Sequence, residues 1–164
     1  MEKRKVKPVS DSKIQMSILM GTTYANHHGK VHGGNILKLA DEAAYVCASK
    51  HSGYECVTAS IDRVDFYSPV NIGDVLTFEA SVNLVGTTSM EIGVKVTAES
   101  TTKGTKIHSN TCYITMVAID GDGKPAIVPD LVLENEQQIR RNKEAQYRRQ
   151  QRLDNRFQKN KAHE

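Results

Sequence analysis

Apolar and polar residues alternate from Ile14 through Met16, Ile18 and Met20, a period of two that predicts a strand over 14–21. From Asn35 to His51 the period lengthens. Ile36, Leu37, Leu39, Ala40, Ala43, Ala44, Val46, Cys47 and Ala48 leave only a narrow polar stripe, which predicts a helix buried under a sheet. Gly53 supplies its stop. Alternation returns with Val57, Ala59 and Ile61, then slips by one to Val64 and Phe66. A one-residue slip flips the faces, so a β-bulge is expected near Asp62–Arg63. After a loop at 67–74, Leu76, Phe78, Ala80, Val82 and Leu84 predict a strand. Met90, Ile92, Val94, Val96 and Ala98 predict another. The run from Ile107 to Ile119, apolar over most of Tyr113–Ile119, reads as a central strand covered on both faces. The turns fall at Gly86–Ser89, Thr101–Lys106 and Asp120–Gly123.

The order is a strand, a buried helix and four long strands that read as an antiparallel meander, which makes the fold class α+β. Glu134 to Phe157 predicts a further helix, polar and rich in Gln, Arg and Glu, with Ile139, Ala145, Tyr147 and Leu153 as its few apolar residues. The 164 residues then divide into a loose lead-in at 1–13, one domain at 14–133 and a basic helical tail at 134–164. Charge follows this division. The tail carries nine Lys/Arg against five Asp/Glu, whereas the rest of the chain sums to −1. The tail's acidic residues are interspersed among the basic ones, which favours a solvated helix over a nucleic-acid contact. Aromatic residues are only 5% of the chain and Trp is absent, which argues against a stacking platform for single-stranded nucleic acid. Cys47, Cys56 and Cys112 are odd in number and sit among apolar neighbours, as buried free thiols of a reducing compartment would. Met1 to Lys7 lacks an apolar signal core, and no run reaches the length of a membrane span. The expectation is a cytoplasmic protein without membrane or nucleic-acid partners.

The chemistry concentrates where a polar, Gly-rich turn, Asn26-His27-His28-Gly29-Lys30-Val31-His32-Gly33-Gly34, enters the apolar helix. Asp41 lies in the middle of that helix, and a carboxylate among apolar neighbours needs a partner or a function. A solvent-facing Asp41 paired with Lys38 is the plain alternative. Gly33 and Gly34 permit unusual backbone angles, and they also leave the first amides of the helix open to a developing oxyanion. Asn26 is a common turn residue whose amide can both donate and accept. The three His of the turn invite a metal reading, but no Cys or carboxylate stands near them at ligand spacing. Arg63 has an ion pair with Asp62 or Asp65 as its ordinary use.

These pieces resemble the hotdog-fold acyl-CoA thioesterases. The likeness is carried by the turn Asn26–Gly34, by Leu39-Ala40-Asp41-Glu42-Ala43-Ala44 and by Val57–Phe66. Pro69-Val70 with Gly73-Asp74, Gly86-Thr87-Thr88-Ser89-Met90, and Val117–Asp120 with Gly123-Lys124-Pro125 continue it. Each motif is short and common; their order and spacing, over residues 12 to 155, make the likeness specific. The resemblance implies a long central helix wrapped by a curved antiparallel sheet, plus a C-terminal helix. It implies dimers, often assembled as a trimer of dimers, with active sites at the dimer interface. It implies hydrolysis of acyl-CoA to a fatty acid and free coenzyme A without a metal or other cofactor. Asp41 would be general base or nucleophile, with Glu42 a secondary candidate. Asn26 would face Asp41 of the partner subunit, orienting water or polarising the thioester oxygen. Gly33 and Gly34 would supply oxyanion donors. Arg63 and the turn Gly86, Thr87, Thr88 and Ser89 would meet the coenzyme A phosphates. His32 stands where that family more often carries a large apolar residue. Two other readings compete: a hotdog hydratase or dehydratase, for which His32 is the only plausible proton donor, and a non-catalytic acyl-CoA-sensing domain. A sensor would need neither Asn26 nor Asp41.

Overall fold

The chain, seen in a computed structural model, is described over residues 4–161; 1–3 of the expected lead-in and 162–164 of the expected tail fall outside. Strand β1 (Val6–Pro8) is followed by a short helix α1 (Val9–Ser12), strand β2 (Ile14–Leu19) and the long helix α2 (Gly33–Ser52). Then come β3 (Glu55–Ile61), β4 (Asp74–Val85), β5 (Ser89–Ser100), β6 (Thr105–Ile119), β7 (Asp130–Val132) and helix α3 (Glu136–Lys161). Five strands form one antiparallel sheet in the order β2-β4-β5-β6-β3, and β1 pairs with β7 in a small parallel ribbon. Only β4, β5 and β6 form the expected meander. β3 crosses to the far edge beside β6, because the loop from 62 to 73 is long enough to carry the chain back across the sheet.

Helix α2 lies along one face of this sheet. Its buried residues Ile36, Leu39, Ala40, Ala43, Ala44, Cys47, Ala48 and His51 repeat at three and four positions and make one stripe. The alanines bring the helix axis close to the sheet. Opposite them stand Leu76, Phe78, Ile92, Val94, Ile114 and Met116, all fully buried. His32 caps the helix start, and Gly53, at φ 78°, closes it in the left-handed region where glycine has no Cβ to strain. The expectation of burial nearly all round is corrected: Tyr45 and Val46 remain exposed on one flank.

Residues 4–13 are not a loose lead-in. Val9 and Ser12 are buried, and Arg4 donates to the Val128 and Gly86 carbonyls while pairing with Asp130 at 2.8 Å. The bulge also lies elsewhere than expected. Thr58 pairs with Met116 and Ser60 with Thr115, so Ala59 is the extra residue, three positions before Asp62. Ahead of it Cys56 is the buried residue and Thr58 the one bonded to Asp41 and Met116, while Val57 and Ala59 are exposed on this edge strand. β6 is not covered on both faces by apolar packing. Cys112, Ile114, Met116 and Ala118 are buried beneath α2, and the residues between them are partly open on the outer face.

That outer face carries α3. Ala145 is fully buried, but the attachment is mostly polar. Glu91, only 3% exposed, accepts two N–H bonds from Arg148 and further ones from Arg152. Arg152 also donates to Asp62 at 2.6 Å, and Arg148 stacks 3.6 Å above the Tyr113 ring. Asn142 donates to the Asn83 carbonyl. A tail expected to be solvated is thus tied to the sheet by arginines whose carboxylate partners are far apart in sequence.

Candidate active site

Asp41 occupies the border of α2 where the buried stripe meets the exposed Tyr45–Val46 flank, and it is half-buried. Thr58, turned toward the helix just before the bulge, donates its hydroxyl to Asp41 Oδ1 at 2.6 Å. This orients the carboxylate and leaves Oδ2 without a hydrogen bond among the described residues. Lys38 does not neutralise Asp41; it reaches toward Glu42, at 3.9 Å. The expected alternative pairing of Asp41 is therefore not the one formed. Nor does Glu42 share the site's contact, since it stays exposed.

Asn26 organises its turn. Its Oδ1 accepts from the His28 and Lys30 backbone amides at 2.9 and 3.1 Å, and its own N–H donates to the Lys30 carbonyl. Two backbone donors on one atom establish which end of the amide is oxygen. The NH2 end bonds nothing among the described residues and is free to donate. Asn26 makes no hydrogen bond to Asp41 of its own chain.

At the helix start the two glycines differ. The Gly34 amide donates to His32 Nδ1 at 2.9 Å, so the imidazole already occupies one of the two expected oxyanion donors. The Gly33 amide has no partner among the described residues, and the Phe66 ring stands 3.4 Å from where a Gly33 Cβ would lie. His32 is therefore a helix cap. Among the described residues, no three His, Cys, Asp or Glu side chains gather as metal ligands would. Arg63 pairs with Asp65 at 3.0 Å and is largely exposed; Asp62 is taken by Arg152. In the β4–β5 turn the Gly86 amide donates to the Ser89 carbonyl, and the Thr87 and Thr88 carbonyls accept from Val128 and Ala118. The Thr87 and Thr88 amides have no protein acceptor among the described residues. Burial pushes the Cys47 thiol up to about 12 and that of Cys112 to about 11, so neither is a ready nucleophile.

The residue that the pattern did not single out is Thr58. In sequence it is one polar position in a strand, and only the bulge and the helix contact distinguish it.

A long helix embraced by a curved antiparallel sheet defines the hotdog class of folds. The thioesterase superfamily model matches residues 28–105. The Helicobacter pylori protein VdlD is 43% identical over 130 residues, 79% of this chain and 74% of its own. YkhA of Bacillus subtilis, an uncharacterised acyl-CoA thioester hydrolase, is 36% identical over 85% of this chain and 81% of its own. Among solved structures, an apo-hexameric acyl-CoA thioesterase superposes with TM-score 0.89 at 36% identity, over 92% of this chain and 97% of that one. An acyl-CoA hydrolase of Staphylococcus aureus, solved with butyryl coenzyme A, coenzyme A and coenzyme A disulfide, gives 0.88 at 32% identity over 96% of each chain. The chain belongs to the hotdog-fold acyl-CoA thioesterases, enzymes that hydrolyse acyl-CoA thioesters. Three more structures of the S. aureus enzyme carry alanine in place of an asparagine, an aspartate and a threonine. Those residues lie fifteen and then seventeen positions apart, the spacing of Asn26, Asp41 and Thr58 here.

Proposed function

We propose that this chain hydrolyses acyl-CoA to a fatty acid and coenzyme A at a site shared by two subunits. Asp41 acts through its free Oδ2, either drawing the proton from the attacking water or attacking the thioester carbonyl itself. Thr58 holds Oδ1 so that Oδ2 is aimed. Asn26 of the partner subunit donates from its free amide end to the carbonyl oxygen, because its own oxygen is spent on the turn. The Gly33 amide adds a second donor to the developing oxyanion. In either route the C–S bond breaks, the thiolate of coenzyme A leaves and takes up a proton, and the acyl carbon gains the water oxygen. The observation that carries this reading is the Thr58–Asp41 hydrogen bond at the border of an exposed apolar flank.

No cofactor enters the reaction in this reading; coenzyme A is part of substrate and product. The Gly86–Ser89 turn and Arg63 face its phosphates. The dimer forms along the β3 edge and the Tyr45–Val46 flank, where Val57, Ile61 and Phe66 are also exposed, and three dimers make the hexamer. A cytoplasmic location in fatty acid metabolism agrees with relatives described as cytosolic acyl-CoA hydrolases. No helix among the described residues is long and apolar enough to cross a membrane.

The deciding experiment follows free thiol released from a panel of acyl-CoAs. Asn26→Ala and Asp41→Ala chains, each inactive alone, are then refolded together. Random pairing places one intact Asn26–Asp41 site in half of the dimers and restores about a quarter of the wild-type rate. No recovery on mixing would remove the shared site; an active Asp41→Ala protein would remove Asp41.

A further inference from the structure

Helix α3 holds two arginines in the carboxylate network and leaves a third outside it. Arg148 and Arg152 reach Glu91 and Asp62, whereas Arg149 makes no hydrogen bond or ion pair among the described residues. Its guanidinium lies over the β4–β5 turn, with Nη2 and Nη1 3.5 and 3.6 Å from where a Gly86 Cβ would sit. Ser89 Oγ would be 2.8 Å from that same Cβ. Any larger residue at 86 would therefore drive the cation and the hydroxyl apart. The free Thr87 and Thr88 amides lie on the same turn, so cation, hydroxyls and unpaired backbone donors converge. Such a set recognises a phosphate: amide donors in a tight turn form an anion cradle, and a guanidinium completes it bidentately.

A groove of about 240 Å³ continues from this turn along α3 to β3, lined by Arg149, Gly86, Ser89, Thr115 and Ser60. The Thr115 hydroxyl oxygen is buried there without a hydrogen-bond partner. The register fixes the reach. Met90, next to Ser89, pairs with Met116, and Met116 pairs with Thr58. Within the plane of the sheet the turn is therefore two strand spacings, about 10 Å, from the line of the Thr58–Asp41 pair, which lies on the other face, around the β3 edge. The pantetheine arm of coenzyme A is longer than that.

Resting on the thioesterase reading above, we propose that Arg149 is a further phosphate-binding cation of this site, besides Arg63, and that α3 is docked on the sheet to present it to the nucleotide end of coenzyme A. The role of Arg148 and Arg152 is then to fix the helix, so that the Arg149 guanidinium stands over the turn.

The test compares two thioesters with the same acyl chain, acyl-CoA and the acyl-pantetheine that lacks all phosphates. In Arg149→Gln the ratio of kcat/KM for acyl-CoA to that for acyl-pantetheine falls about tenfold, the worth of one charge-assisted hydrogen-bond pair, through KM. Arg149→Lys restores part of the ratio. Arg140→Gln, which removes a cation of the same helix already paired with Glu144, leaves it unchanged. Calorimetric titration with adenosine 3′,5′-bisphosphate shows the same weakening in Arg149→Gln. A ratio unchanged in Arg149→Gln, or equal loss on both thioesters, overturns the assignment. Wild-type protein that hydrolyses neither thioester overturns the parent reading instead, and the bisphosphate titration then decides Arg149 alone.

Discussion

The two helices cover opposite faces of one sheet and are held there by opposite means. α2 offers a stripe of alanine, leucine and isoleucine to a face of Phe78, Ile92, Ile114 and Met116, and burial of apolar area holds it. α3 offers arginines to Glu91, Asp62 and Tyr113, with Ala145 as its one fully buried side chain among the described residues. Charges taken out of water recover little net stability even when well paired. Asp62 shows the balance directly: burial raises its pKa despite the adjacent Arg152. The inner helix therefore supplies stability and carries the carboxylate, while the outer helix supplies orientation. The lesson is that an ion-pair network can fix where a helix points without being what keeps the domain folded.

That contrast can be broken at several points. The largest effect is on the chemistry carried by the inner helix. Asp41→Asn lowers kcat about 10³-fold, measured by thiol release, with circular dichroism unchanged. The next is on the inner packing. Phe78→Ala leaves a cavity beneath α2 and costs about 4 kcal/mol in urea unfolding; a cost below 1 kcal/mol would mean that the inner face is not the stabilising one. On the outer face, Glu91→Ala strands Arg148 and Arg152 and costs about 3 kcal/mol. Hydrogen exchange should then speed up in α3 while the β4–β5–β6 amides stay protected; uniform loss of protection would show that the two faces unfold together.

A smaller effect depends on pH. His51 is buried at the C-terminal end of α2, with Nε2 at 3.2 Å from the Pro129 carbonyl. Burial lowers its pKa from 6.5, helped by the nearby Lys7 charge. The unfolded chain binds the proton more readily than the folded one. The stability linked to His51 is thus fully present above pH 6.5 and is lost as pH falls toward the folded-state value. Thermal melts from pH 8 to 5 should show that slope, and His51→Gln should flatten it. The smallest effect is at the exposed Arg140–Glu144 pair, where Glu144→Gln changes stability by less than about 0.5 kcal/mol.

Much of the inner face was legible in advance because burial leaves a period. The residues that repeat at three and four positions in 35–51 are the ones that meet the sheet, and Gly53 ends the helix where expected. Asp41 stood out as a carboxylate among apolar helix neighbours, whereas Asn26, an ordinary residue for a turn, was singled out only by the family resemblance. Thr58 did not stand out, because a threonine in a strand looks ordinary until a bulge at Ala59 and the helix packed against it, seventeen residues back in the chain, give it a partner. His32 looked like chemistry and is a cap, since the atom it engages is a backbone amide that no side-chain pattern records.

By itself the chain's order of residues determined the class of fold and the central helix, because local periodicity and turn chemistry act over a few residues; it pointed to Asn26 and Asp41 as a pair only through the family resemblance. Tertiary structure alone decided that β3 lies beside β6, that α3 is bound rather than solvated, and that Arg149 stands over Gly86. Those outcomes join residues 53 to 90 positions apart, and an ion pair or a strand edge across that separation leaves no period in the sequence to be read.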